Sequence, residues 1–193
     1  MGAGWCEGRH DAQASAEEGS IPMTGAKYCI GEKIANELAS CGVKLVASLP
    51  DNWLMGVIDA VKRDDRFRHV PVNREESAIG LCSGAYMGAM GSAALMGASG
   101  FMTVIYAITK INYTYEIPLF IMATMRGAAG DHHKHHISNG LYLLRVIEAI
   151  NMPYAIIDKP DEIPLIARSY RHTRTISRPM AVLLTRDLLR GSQ

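Results

Sequence analysis

The 193-residue chain carries a formal net charge of +1, with 48% hydrophobic and only 7% aromatic residues. That length supports one domain with a full core, and the near-neutral balance gives no electrostatic case for nucleic acid or an acidic membrane surface as a partner. The four cysteines (Cys6, Cys29, Cys41, Cys82) show no CxxC spacing and no disulfide-rich pattern, which reads as reduced thiols and a cytoplasmic location.

Residues 1–24 mix Gly, Ala, Ser, Glu and Gln without apolar periodicity and read as a disordered tail before a domain spanning 25–190. From there helix and strand alternate. Ala26–Ser40 is predicted helical, with Ile30, Ile34 and Leu38 on one stripe and Gly42 as the stop. Val43–Leu49 reads as a buried strand and Trp53–Lys62 as a helix, with Asp51 or Asn52 as its cap. Arg68–Val72 is a strand and Glu75–Met90 a long helix. Gly91–Thr109 has the length of a membrane span. Gly97-Ala98-Ser99-Gly100 breaks it, so Ser92–Met96 is predicted as a strand, Gly97–Gly100 as a turn and Phe101–Ile111 as a helix.

Pro118–Thr124 is an unbroken apolar strand, and Met125–Asn139 is polar and reads as irregular. A helix over Leu141–Asn151, a strand over Pro153–Ile157, a helix over Glu162–Ser177 and a strand over Pro179–Leu184 complete the alternation. Apolar strands separated by helices imply a three-layer α/β domain with a mostly parallel sheet of about six strands. Ligands of such sheets bind at the carboxyl ends of the strands. Asp51, Asn73–Glu76, Gly97–Gly100 and Met125–His136 all fall on that edge.

Glu75 and Glu76 open a helix beside a run, Ser77 to Thr109, that holds no charged residue. Either carboxylate could simply favour the helix dipole. One desolvated against that run would have a raised pKa and exchange protons near neutral pH. Gly80, Gly84 and Gly88 share one helix face, which implies close backbone packing, either internal or at a subunit interface. Neither a Walker A nor a Rossmann glycine pattern is present. Asp131-His132-His133-Lys134-His135-His136 carries four of the seven histidines. With no HExxH and Lys134 in its centre, it reads as a solvated loop or as imidazoles at an active-site rim rather than as a metal centre.

Taken together, several segments resemble the pyrimidine-binding (Pyr) domain of thiamine diphosphate-dependent 2-oxo acid decarboxylases. They are Pro50-Asp51, Val72-Asn73-Arg74-Glu75-Glu76 leading into Gly80-Leu81-Cys82-Ser83-Gly84-Ala85-Tyr86, Leu95-Met96 with Ser99-Gly100, Tyr115-Glu116-Ile117-Pro118-Leu119, and Arg126-Gly127. The sulfopyruvate decarboxylase alpha-subunit family is the most similar, and phosphonopyruvate decarboxylases are also alike. The resemblance implies that Glu75, five residues before Gly80, hydrogen-bonds the cofactor's aminopyrimidine and promotes loss of the thiazolium proton, with the cofactor then acting as electron sink. It implies that Ser99 and Gly100 approach the same ring and that Asp51 faces the substrate. It also implies that His135 and His136 correspond to a paired-histidine motif, His135 touching substrate as well.

That family's Gly-Asp-Gly motif, with Asn about thirty residues later, is absent from the sequence. The resemblance therefore implies a partner beta subunit that carries magnesium and the diphosphate, in an α2β2 or larger assembly. Sulfopyruvate, giving sulfoacetaldehyde and carbon dioxide, is the expected substrate. Another 2-oxo acid such as phosphonopyruvate, carboligation, or a non-catalytic α/β binding module are the alternatives. Gly97-Ala98 stands where the family usually has a polar residue, and the four-histidine segment also departs from its pattern.

Overall fold

The computed structural model describes residues 25–129 and 131–190. The tail assigned to residues 1–24 lies outside them. Six strands form one parallel sheet: β1 (Val43–Ser48), β2 (Arg68–Pro71), β3 (Gly91–Met96), β4 (Leu119–Thr124), β5 (Tyr154–Ile157) and β6 (Pro179–Leu184). Their spatial order is β2-β1-β3-β4-β6-β5. The helices are α1 (Gly25–Ser40), α2 (Met55–Arg63), α3 (Glu75–Met87), α4 (Ala98–Thr103), α5 (Ile105–Ala107), α6 (Lys134–Ala149), α7 (Leu165–Ile176) and α8 (Arg186–Arg190).

The period of two along each strand divides the core. Phe120, Met122 and Val182 face one layer with Ile34, Leu38, Val57, Val61, Ile166 and Leu188, contributed by α1, α2, α7 and α8. Leu119, Ile121, Ala123 and Leu183 face the other with Ile79, Phe101, Ile108, Leu143 and Ile147, contributed by α3, α4, α6 and the turn after α5. The three central strands β3, β4 and β6 are buried along nearly their whole length, which is why they read as continuous apolar runs. Each fully buried Phe101 or Phe120 side chain contributes about 1.5–3 kcal/mol through area removed from water. Cys82 is part of this packing, and burial pushes its thiol up to about 11.

Three expectations need correction. Met125–Asn139 is not irregular throughout, because α6 starts at Lys134 and takes in His135, His136 and Asn139. Gly140 lies inside that helix rather than before it. A Cβ there would sit 2.6 Å from the Arg126 carbonyl oxygen, so the glycine serves close backbone approach to Arg126-Gly127. Helix α4 starts at Ala98, so Ser99 and Gly100 occupy its first turn. The segment expected as one helix over Phe101–Ile111 is interrupted at Val104 and ends in a π-helical turn over Ile108–Tyr113. Finally, nothing lies within 4 Å of a Cβ added to Gly80 or Gly84. Their face of α3 is exposed and makes no internal close contact; the buried face is Ala78, Ile79, Cys82 and Ser83.

No described helix is long and apolar enough to cross a membrane. Gly91–Thr109 is instead a buried strand followed by helix, as expected.

Gly42 stops α1 with φ +87° and open space around its missing Cβ. Backbone strain alone would oppose a side chain there. Gly42→Ala is therefore expected to lower stability by about 1–2 kcal/mol, measured as the urea midpoint of the purified chain. A change within a few tenths of a kcal/mol would contradict the left-handed stop.

Candidate functional site

Every strand of a parallel sheet delivers its C-terminal loop to the same edge. Here β1 delivers Asp51, β2 delivers Glu75, β3 delivers Gly97–Gly100, β4 delivers Arg126 and β6 delivers Arg186. The structure sorts these residues into two adjoining groups.

In the first group, Glu75 stands in the opening turn of α3 and is half-buried. Its carboxylate lies directly against Gly100, where a Cβ would overlap Oε1. Gly100 is fully buried in α4, so its lack of a side chain is what leaves the Glu75 carboxylate its place. Ser99 is exposed, and Asn139 of α6 donates from Nδ2 to its Oγ at 3.4 Å. Glu76, by contrast, reaches Arg74 at 3.6 Å in an exposed ion pair, which is worth little in water.

The second group is a chain of charged and polar side chains centred on Arg126. The guanidinium donates from Nη2 to Asp51 Oδ2 at 2.6 Å, from Nη1 to His136 Nε2 at 2.6 Å and from Nε to Thr124 Oγ1 at 3.3 Å. Its plane lies over the Trp53 ring, 4.3 Å from the centroid. An arginine cannot accept a hydrogen bond, so Nε2 of His136 must carry the lone pair and Nδ1 the proton. That Nδ1–H donates to Asp131 Oδ1 at 2.8 Å. His136 is thus a neutral imidazole in one tautomer, buried, with both nitrogens engaged.

Asp131 also accepts from the Gly127 and His133 backbone N–H groups. Burial pushes its carboxyl up, but the His136 bond and the two amides outweigh that, and the net displacement is downward. Asp51 accepts from the Trp53 N–H at 2.8 Å through Oδ1. It therefore shapes the turn before α2 rather than capping the helix, whose first turn starts later, at Met55.

The two groups meet at Gly97. A Cβ there would lie 2.6 Å from Asp51 Oδ2, so the glycine makes room for the Asp51–Arg126 pair. Thr124 ties the same junction, accepting from the Ala98 N–H at 3.1 Å as well as from Arg126.

Of the residues singled out by sequence, Glu75 and Gly100 touch, Ser99 shares the turn of Gly100, and Asp51 and His136 are joined through Arg126. His135 is exposed, its ring 4.3 Å from that of His136. Sequence reasoning did not single out Arg126, Asp131, Thr124 or Trp53 as site residues. A cation directly after an apolar strand, and Asp131 five residues before His136, were the available signals. No group of three or more His, Cys, Asp or Glu that could hold a metal ion occurs among the described residues.

No protein-family model matches the chain. A sulfopyruvate decarboxylase subunit alpha of Methanococcus maripaludis is 32% identical over 154 residues, 79% of this chain and 92% of the relative. A protein named sulfopyruvate decarboxylase, from Methanosarcina acetivorans, is 26% identical over 84% of this chain but only 41% of its own length. A phosphonopyruvate decarboxylase of Streptomyces viridochromogenes is 28% identical over 65% of this chain and 32% of its own length. The first of these matches, together with the parallel sheet and the ordered residues at its carboxyl edge, shows that the chain belongs to the family of sulfopyruvate decarboxylase alpha subunits.

Proposed function

We propose that this chain is the aminopyrimidine-binding subunit of a thiamine diphosphate-dependent decarboxylase that converts sulfopyruvate to sulfoacetaldehyde and carbon dioxide. The observation that carries the reading is the Glu75 carboxylate held against the side-chain-free Gly100 at the carboxyl edge of the sheet. A half-buried acid seated in the space that a buried glycine leaves open suits an aromatic ring that needs one hydrogen-bond partner at its edge. Glu75, Ser99 and Gly100 would hold that ring. When bound, thiamine diphosphate supplies the carbon nucleophile and the electron sink for loss of carbon dioxide from a 2-oxo acid.

The protein's own contribution is positional. Glu75 presents its carboxyl for proton exchange with the ring edge. Asp51, Arg126 and His136 form a rigid rim, and His135, exposed beside His136, is the imidazole assigned to proton exchange with substrate. A beta subunit holding magnesium and the diphosphate, in an α2β2 or larger assembly, completes the site. The exposed glycine face of α3 is consistent with docking such a partner. So is the way this chain spans nearly all of the relative named an alpha subunit, but less than half of relatives named without a subunit. Phosphonopyruvate as substrate is the second reading, carried by the similarity to the Streptomyces relative.

The test is release of carbon dioxide by the chain co-purified with its partner. Turnover of sulfopyruvate is expected only with both thiamine diphosphate and magnesium present. An intact, cofactor-loaded assembly that releases none from either sulfopyruvate or phosphonopyruvate would overturn the reading.

A further inference from the structure

Beside the Arg126 group the structure holds a pocket of about 410 Å3. Its lining brings together Arg126 from the end of β4, Arg186 and Arg190 from α8, and His133 and His135 from the start of α6, with Asp131 as its single carboxylate. Asp131 already accepts three hydrogen bonds, from His136, Gly127 and His133. Asp51, the carboxylate paired with Arg126, also accepts the Trp53 N–H. Arg126 is paired with Asp51 at 2.6 Å, and Arg186 and Arg190 bring two further guanidinium groups to the same lining.

The arginines are also organised. Trp53 carries Arg126 on its ring at 4.3 Å and Arg190 at 5.9 Å, so one indole orients two cations. Arg126 is 8% exposed and fixed by Asp51, His136, Thr124 and Trp53. Those bonds use only part of its five-donor fork. Among the described residues no carboxylate pairs with Arg190. A buried, pre-oriented guanidinium with a second one beside it is suited to bind an oxyanion through charge-assisted hydrogen bonds at little ordering cost.

We propose that this pocket binds the tetrahedral anionic group, sulfonate or phosphonate, at the far end of the 2-oxo acid. Arg126 and Arg190 are its principal donors, which makes Arg190 a specificity-determining residue. The proposal rests on the decarboxylase reading above and extends it to the part of the substrate that does not react. The Arg126–Asp51–Gly97 contacts connect the pocket to the first turn of α4, where Gly100 touches Glu75.

Arg190 is exposed, so Arg190→Gln is expected to fold normally. In the assembled enzyme it should raise KM for sulfopyruvate about tenfold, the usual effect of one lost charge-assisted hydrogen bond, with kcat within about twofold of wild type. Competitive inhibition by the unreactive anion sulfoacetate should weaken by the same factor, and Arg190→Lys should recover part of it. Phosphonoacetate is the parallel probe. Equal weakening for both anions identifies a general tetrahedral-oxyanion site, and weakening for one alone identifies which group the pocket takes.

Unchanged KM and unchanged inhibition in Arg190→Gln would overturn the pocket assignment while leaving the decarboxylase reading intact. If instead the wild-type assembly decarboxylates nothing, the decarboxylase reading fails by itself. Calorimetric titration of the full chain with sulfoacetate then decides the pocket alone. Binding that Arg190→Gln abolishes supports it, and absence of binding overturns it.

Discussion

Glu75→Gln should lower the rate of carbon dioxide release by about 10²–10⁴-fold, the usual contribution of a positioned acid or base, while leaving the fold and the assembly intact. The substitution preserves shape, so the packing against Gly100 survives. What disappears is the ability to hold and return a proton at that position. Glu75 is only half-buried and makes no described ion pair, so the change in stability should stay within about 0.5 kcal/mol.

Glu76→Gln supplies the control. Both residues lie in the first turn of α3, where a negative charge interacts favourably with the helix dipole by about 0.3–1 kcal/mol. Glu76 differs in pairing with Arg74 at the surface. A charge effect of the helix terminus would appear in both variants, whereas proton exchange at the ring edge appears only at position 75. Equal, small losses of kcat in the two variants would remove Glu75 from the chemistry.

The architecture was legible because parallel strands covered on both faces cannot hide their composition. Leu119–Thr124 and Pro179–Leu184 are buried at every position, and nothing but a central strand reads that way. Helix α6 was harder, since its first turns bury His136 and Asn139 in place of apolar residues. Gly140, which looks like punctuation, is in fact a contact with the β4 loop.

A similar divide runs through the site. Glu75 and Gly100 could be placed by their positions after β2 and β3, although only the structure shows that they touch. The Asp51–Arg126–His136–Asp131 chain could not be read in advance. Asp51 and Arg126 are separated by 75 positions, and no local period links a loop after β1 to one after β4. The glycine at 97 looked like a missing polar group until Asp51 was seen to occupy the space.

The Arg126 group also sets the largest expected effect on stability. Arg126→Met should destabilise the chain by about 3–5 kcal/mol, because it leaves the Asp51 carboxylate buried without its cation. The side chains of Arg126 and Asp51 are only 9% and 11% exposed, so water cannot replace the lost partner at low cost. Such a loss is a large fraction of the 5–15 kcal/mol that holds an ordinary domain together. The pair itself need not be a net source of stability, since desolvating two charges offsets most of their attraction.

That distinction yields a sharper test. Adding Asp51→Asn to Arg126→Met removes the stranded charge, and the neutral amide can still accept the Trp53 N–H now taken by Oδ1. The double variant should therefore be more stable than Arg126→Met alone, with a coupling of about 1–3 kcal/mol in the double-mutant cycle. Urea denaturation of the four proteins measures it. A single-variant cost below about 1 kcal/mol, with no coupling to Asp51, would mean that the pair behaves as an ordinary surface contact and that the rigid rim it forms does not exist in solution.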